Sequence, residues 1–246
     1  MSGARPPGAS GEQAAAAWVR AMFARVAERY DLLNHLLSLN RDRAWRAHAV
    51  RRLRDILRDP QARILDLCCG TGDLLLGLET GRGAGLLGSD FCHPMLLGAR
   101  RKIAEKHFES VLFEADALAL PLPDRSLNLI TVAFGFRNFA NYRKALAEMR
   151  RLLRPSGTLA ILEFSQPQNR VLAGLYDFYS RRALPLMGGL ISGDRSAYHY
   201  LPESVRAFPA PEELAREMRR AGFARVGFER LDGGIVALHL GTIADP

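Results

Sequence analysis

Apolar side chains recur every fourth position at Trp18, Met22, Val26 and Tyr30, with Val19 and Phe23 alongside, which predicts an amphipathic helix ahead of any sheet. A second helical stretch is expected over residues 41–57, stopping before Asp59-Pro60. Short apolar runs then alternate with helical ones. Strands are predicted at 63–67, up to Asp90, at 111–114 and at 128–134, with helices over 73–80 and from His93-Pro94 to about Glu105. Asn141 reads as the cap of a further helix with Leu146, Met149 and Leu153 on its apolar face. Residues 154–157 (Arg-Pro-Ser-Gly) read as a turn, and 158–164 as a near-continuous apolar strand of the kind buried in parallel sheets.

After Ser165 the alternation breaks. Residues 170–205 are rich in aromatics and in Gly and Pro, and are expected to form an insertion with one or two helices that covers the ligand-binding edge of the sheet. A helix from Pro211 should end at Gly222. Residues 225–231 and 235–240 flank Asp232-Gly233-Gly234 and read as a hairpin. The expected fold is therefore α/β: a mostly parallel, Rossmann-like sheet of seven strands ending in an antiparallel hairpin. That is the layout of the class I S-adenosylmethionine-dependent methyltransferases. One domain over 15–246 is expected, with N-terminal helices in 15–58 and a flexible leader over 1–14, where Gly, Pro, Ser and Ala dominate.

Composition narrows this only slightly. The 246 residues, 48% of them hydrophobic, suffice for one α/β core, and no apolar run approaches the ~20 residues that span a bilayer. The N-terminus lacks the layout of a signal peptide. Cys68, Cys69 and Cys92 show neither metal nor disulfide spacing and fit a reducing cytoplasm. Net charge is +8, and Arg41, Arg43, Arg46, Arg51, Arg52, Arg54 and Arg58 form a basic cluster. A solvated helix face, an anionic membrane surface and nucleic acid are all open readings of that cluster.

The chemistry concentrates at strand ends. Ile64-Leu65-Asp66-Leu67-Cys68-Cys69-Gly70-Thr71-Gly72-Asp73 reads as a strand, a glycine turn and a helix start, and a second apolar stretch ends on Asp90, 24 residues beyond Asp66. Glycines admit backbone N–H groups to an adenosyl ligand, and the second acid accepts from both ribose hydroxyls. The expected cofactor-binding set is Asp66, Gly70, Thr71, Gly72, Asp90, Phe91, Asp116 and Ala117, with Asp116 at the adenine amine. A dinucleotide needs a third glycine and a helix N-terminus open to pyrophosphate. Here Leu74 and Asp73 stand instead, and a carboxylate suits a cationic ligand better than a diphosphate. S-adenosylmethionine is thus the expected cofactor and NAD the other reading; no metal is expected.

The fourth strand ends in Phe134-Gly135-Phe136-Arg137-Asn138. A fixed cation and an amide among aromatic rings suit a flat aromatic substrate bearing an oxyanion. The bland alternative is an Arg paired with an acid in a structural network.

With these residues in view, the chain resembles the ubiquinone/menaquinone biosynthesis C-methyltransferase family over almost everything from Phe23 to His239. Tyr30-Asp31-Leu32-Leu33-Asn34 with Ser38 and Trp45 is similar to one family signature, and residues 151–157 through Glu163-Phe164-Ser165 to another. Departures include Asp42, where the family usually has His, and Ser156, where it has Gly. The resemblance implies methylation of a ring carbon of a polyprenylated quinol, either demethylmenaquinol or the methoxy-benzoquinol precursor of ubiquinone. It implies Arg137 and Asn138 at the oxyanion and Tyr30 closing over donor and substrate, these three forming the catalytic set, with His199 and Asp31 as weaker candidates for the base. It places a prenyl tail against 170–205 and the enzyme in the cytoplasm, peripheral on the membrane's inner face. Expected partners are the quinol, that membrane surface and a second copy in a homodimer; no nucleic acid is expected. RNA or another small molecule as methyl acceptor, and a catalytically silent adenosyl-binding regulator, are the competing readings.

Overall fold

The computed structural model describes residues 3–169, 173–174, 179 and 195–245. Four helices come first: α1 (Glu12–Val26), α2 (Tyr30–Leu37), α3 (Arg41–Arg52) and α4 (Arg54–Leu57). There follow β1 (Ile64–Leu67), α5 (Asp73–Arg82), β2 (Leu87–Asp90), α6 (His93–Glu105), β3 (Val111–Glu114), β4 (Leu127–Ala133), α7 (Tyr142–Leu152) and β5 (Leu153–Phe164). Then come α8 (Arg195–Ala207), α9 (Pro211–Arg220), β6 (Arg225–Leu231) and β7 (Val236–Thr242).

The strands form one seven-stranded sheet in the order β3-β2-β1-β4-β5-β7-β6. β1 to β5 pair in parallel, while β7 runs antiparallel between β5 and β6. The expected α/β fold and its closing hairpin are therefore observed. After β1 the chain builds outward through β2 and β3, then returns to lay β4 on the other side of β1. That reversal opens a crevice at the carboxyl ends of β1 and β4, where ligands bind in open α/β sheets.

Both faces of the sheet are covered, which is why its strands are apolar in near-continuous runs. Leu65, Leu67, Leu159 and Ile161 pack on one side with Leu146 and Met149 of α7 and Met218 of α9. Ile64, Ala160 and Leu162 pack on the other with Trp45 of α3, Leu57 of α4 and Leu75 of α5.

Three local expectations shift. The single helix over 41–57 breaks at Leu53 (φ −99°, ψ 3°) into α3 and α4. The turn at 154–157 is instead a bulge inside β5, because Leu153 pairs with Leu127 and Thr158 with Leu129, and Ser156 takes a φ of 59° to absorb the extra residues. Helix α1 starts within the expected leader, and the Ala4 N–H donates to the Phe139 carbonyl. Of the insertion at 170–205, α8 is described to its C-terminal side, while most of the groove expected for a prenyl tail lies outside the described residues, as does the His199 side chain. Among the described residues no helix is long and apolar enough to cross a membrane.

Candidate active site

Two cavities open at the crevice and share a wall. The first, about 740 Å³, is bordered by Gly70, Asp90, Phe91, Asp116, Ala117 and Asn138. The second, about 1090 Å³, is bordered by Arg137, Trp45, Phe164, Ser38 and Asp42. Tyr30 and Phe134 border both. Tyr30 comes from the first turn of α2 and Phe134 from the end of β4, where it is held at φ 59°. Backbone in that region is costly for a large side chain and concentrates at ligand sites.

The floor of the first cavity is the turn after β1. Gly70 stands at φ +56°, and a Cβ there would project beside the Tyr30 ring, 3.9 Å away. The Gly70 N–H donates to Asp90 Oδ2 (3.0 Å), and the Cys92 N–H donates to Oδ1 (2.9 Å). Each oxygen keeps a lone pair for a ligand hydroxyl. Burial outweighs those bonds and pushes the Asp90 carboxyl up to about 6. Asp116 is exposed at the far side, its Oδ1 accepting from the Leu118 N–H (2.9 Å) in a local turn.

Asn138 supplies the most pointed signal. Its Oδ1 accepts from the Tyr200 hydroxyl (3.1 Å), which fixes the amide's orientation, and its buried Nδ2 has no partner among the described residues. A buried donor left unpaired at a cavity wall is a binding group for an acceptor that arrives with the ligand. A bare backbone at Gly70, a buried acid and an unpaired amide donor together fit an adenosyl ligand with an amino-acid end.

Arg137, 6% exposed, points to the second cavity. Its Nη1 donates to Glu163 Oε1 (2.7 Å) and to the Phe134 carbonyl (2.5 Å), and its Nε to Ser204 Oγ (3.3 Å). Its backbone N–H donates to Glu163 Oε2 (3.1 Å). Burial opposes the charge, yet Glu163 outweighs it and raises the guanidinium's pKa. One side chain thus carries a buried structural pairing and also borders the second cavity. Burial also raises the Tyr30 phenol, against the opposing influence of its hydrogen bond with Asn34 and of Arg137.

A family model described as the ubiE/COQ5 methyltransferase family matches residues 10–243. The chain belongs to that family. It is 52% identical to a demethylmenaquinone methyltransferase of Thermus thermophilus, over 89% of this chain and 99% of the relative. It is 46% identical to a demethylmenaquinone methyltransferase of Deinococcus radiodurans, over 91% of each. It is also 45% identical to the ubiquinone/menaquinone biosynthesis C-methyltransferase of Syntrophotalea carbinolica, over 92% and 94%. The fold alone is shared with a solved S-adenosylmethionine-dependent methyltransferase of Thermotoga maritima, described as a possible histamine N-methyltransferase (TM-score 0.65, 20% identity, 90% and 98% covered).

In this ubiE/COQ5 methyltransferase the crevice brings together Tyr30, Gly70, Asp90, Phe91, Asp116, Ala117 and Asn138, with Arg137 across the partition. Asp66, Thr71 and Gly72 border neither cavity. Asp66 lies buried within the sheet, accepting from the Thr131 hydroxyl (2.6 Å), and burial outweighs that bond and pushes its carboxyl up to about 7. Thr71 donates to Asp31 (2.5 Å), and Gly72 caps α5.

Asp73 is not a free carboxylate facing the ligand, as its place at the helix start suggests, but is held by its neighbours. Lys102 of α6 reaches across to Asp73 and Asp31 (2.6 Å each), and Arg46 stands 3.6 Å from Asp73. The carboxylate is neutralised on the outer side of the turn and exerts no free pull on a cationic ligand. Glu163 was not singled out as a site residue from sequence. Its signal was nonetheless present: a lone acid in an apolar strand must find a buried partner.

Proposed function

We propose that this protein is an S-adenosylmethionine-dependent C-methyltransferase acting on the ring of a polyprenylated quinol, demethylmenaquinol first. The observation that carries this reading is the pair of cavities separated by Tyr30 and Phe134, one suited to an adenosyl donor and one to a flat aromatic acceptor. The names of the Thermus and Deinococcus relatives support the acceptor. The Syntrophotalea relative supports the methoxy-benzoquinol of ubiquinone synthesis as a second substrate.

Bound in the first cavity, the donor would present an electrophilic methyl group on a cationic sulfur. Asp90 would accept from its ribose hydroxyls, Asp116 and the Ala117 N–H would meet its adenine, and Asn138 Nδ2 would donate to its amino-acid carboxylate or to a ring oxygen at the partition. Arg137, protonated and braced by Glu163, would hold the ring oxygen as that oxygen gives its proton to a water and the ortho carbon becomes nucleophilic. Once the methyl group has left sulfur for that carbon, the displaced ring C–H proton would leave to water as well. A guanidinium cannot take that proton itself. Phe134, Phe164 and Trp45 pack tilted and edge-on into an aromatic wall, with centroids 4.9 to 6.1 Å apart, against which a flat ring would lie.

Exposed Arg43, Arg51, Arg54 and Arg58 make no ion pair with other described residues, Leu39 is exposed at the rim of the second cavity, and Leu32 is exposed on α2. These features support contact with an anionic membrane surface, where a prenylated substrate resides. The decisive assay is anaerobic: labelled donor, purified protein and short-chain demethylmenaquinol. Label in the quinol ring is expected, and its absence under reducing conditions sinks the reading.

A further inference from the structure

Ser38 and Asp42 border the second cavity, and the chain between them is under strain. Helix α2 ends as the Ser38 N–H donates to the Asn34 carbonyl (2.9 Å). Leu39 and Asn40 then both take left-handed backbone, at φ 53° and 58°, before α3 begins at Arg41. Two successive non-glycine residues in that region are uncommon and persist only where surrounding contacts enforce them. What the turn achieves is a short pairing: Ser38 Oγ donates to Asp42 Oδ1 at 2.6 Å.

Asp42 is 3% exposed and saturated with donors. Besides Ser38, its Oδ2 faces His35 Nδ1 (2.8 Å) and the Arg46 guanidinium. An ionised carboxylate is an acceptor only. The one proton of Ser38 is therefore committed, since its other acceptor, the His35 carbonyl, lies at 3.4 Å. Toward the cavity Ser38 can offer only a lone pair. A second acid on the same wall acts alike: Asp232 takes the Arg41 guanidinium and the Trp45 indole N–H (2.7 Å). The Arg41, Trp45 and Arg46 donors are absorbed by these two acids, which leaves Arg137 as the charged donor for one ring oxygen while Tyr30 and Asn34 also border the cavity.

A reduced ring carries hydroxyl donors at its two oxygens, whereas an oxidised ring carries only carbonyl acceptors. We propose that Ser38, with its proton held by Asp42, is a specificity-determining residue that admits the quinol and rejects the quinone. This rests on the reading of the second cavity as the quinol site. An acceptor set against a carbonyl leaves two buried oxygens unpaired, and sites built to pair one hydrogen-bonding pattern discriminate strongly against its inverse.

The test compares wild type, Ser38→Ala and Asp42→Asn under anaerobic conditions. It measures KM and kcat for a short-chain demethylmenaquinol and the inhibition constant of the corresponding quinone, with donor affinity by calorimetry as the check on folding. Ser38→Ala should raise the quinol KM about tenfold with a smaller change in kcat, and leave quinone inhibition unchanged or tighter. Asp42→Asn releases the serine proton toward the cavity and should tighten quinone inhibition about tenfold. An unchanged ratio of quinone inhibition constant to quinol KM in Ser38→Ala overturns the proposal even if Asp42→Asn fails to fold. A wild type that does not methylate quinol overturns the parent reading instead.

Discussion

Cutting Arg137 back to Ala strands Glu163 as a charge that is 1% exposed and without its cation. Losing one member of a buried pair costs about 3–5 kcal/mol, so Arg137→Ala should lose stability as well as turnover. Arg137→Lys separates the two effects. It should keep most of the melting temperature and bind donor within a few fold of wild type, while methyl transfer falls at least a hundredfold, because an ammonium lacks the fork that meets Glu163 and a ring oxygen together. Asp90 makes a pH prediction. Its carboxyl is pushed up to about 6, so it accepts at both oxygens only above that pH. Donor affinity by calorimetry should fall as pH drops from 8 to 5, and Asp90→Asn should bind weakly and show a flat profile. At this scale the sequence revealed positions better than partners. Arg137 and Asp90 were legible because strand ends are where chemistry gathers, but Glu163 is 26 residues from Arg137 and meets it only because β4 and β5 are neighbours.

Elements were legible where their punctuation was local. His93-Pro94 opens α6, Asn141 caps α7 by accepting from the Lys144 N–H (3.0 Å), and Asp232-Gly233-Gly234 joins β6 to β7. The β5 bulge was less so, because Arg154-Pro155-Ser156-Gly157 has turn composition and only pairing with β4 keeps it in the strand. The end of α9 gives a clean test. Gly222 adopts φ +96°, and a Cβ there would stand 2.4 Å from Arg150 Nε. Gly222→Ala should destabilise by about 1–2 kcal/mol through left-handed backbone and displacement of a flexible arginine. Its melting temperature should drop while donor affinity stays unchanged, since the site lies at the other end of the strands.

For the molecule as a whole, the buried acid at Asp66 sets a pH dependence of stability. Its folded carboxyl titrates near 7 against 3.8 for the free group. The folded state thus prefers the protonated form, and the stability this confers is complete below about 4 and is lost as pH rises through 7, by on the order of a few kcal/mol. Asp66→Asn removes the titration. The difference in melting temperature, variant minus wild type, should grow more positive from pH 4 to pH 8, and a constant difference refutes the assignment. The architecture itself, a reversal of strand order leaving a crevice, followed from the alternation of runs along the chain. The charge cluster behind that crevice did not, because Asp31, Asp73, Arg46 and Lys102 come together only when α2, α3, α5 and α6 meet behind the glycine turn.

The partition of Tyr30 and Phe134 has two sides, and neither chamber owns it. Whatever leans on it from the donor side changes what the acceptor finds, and thermodynamic reciprocity requires an equal effect in return. Filling one chamber with a non-reactive donor analogue should therefore alter the other's affinity for quinol by the same factor that quinol alters affinity for the analogue. Two ligands bound on opposite faces of one tyrosine would then load as a linked pair rather than as strangers.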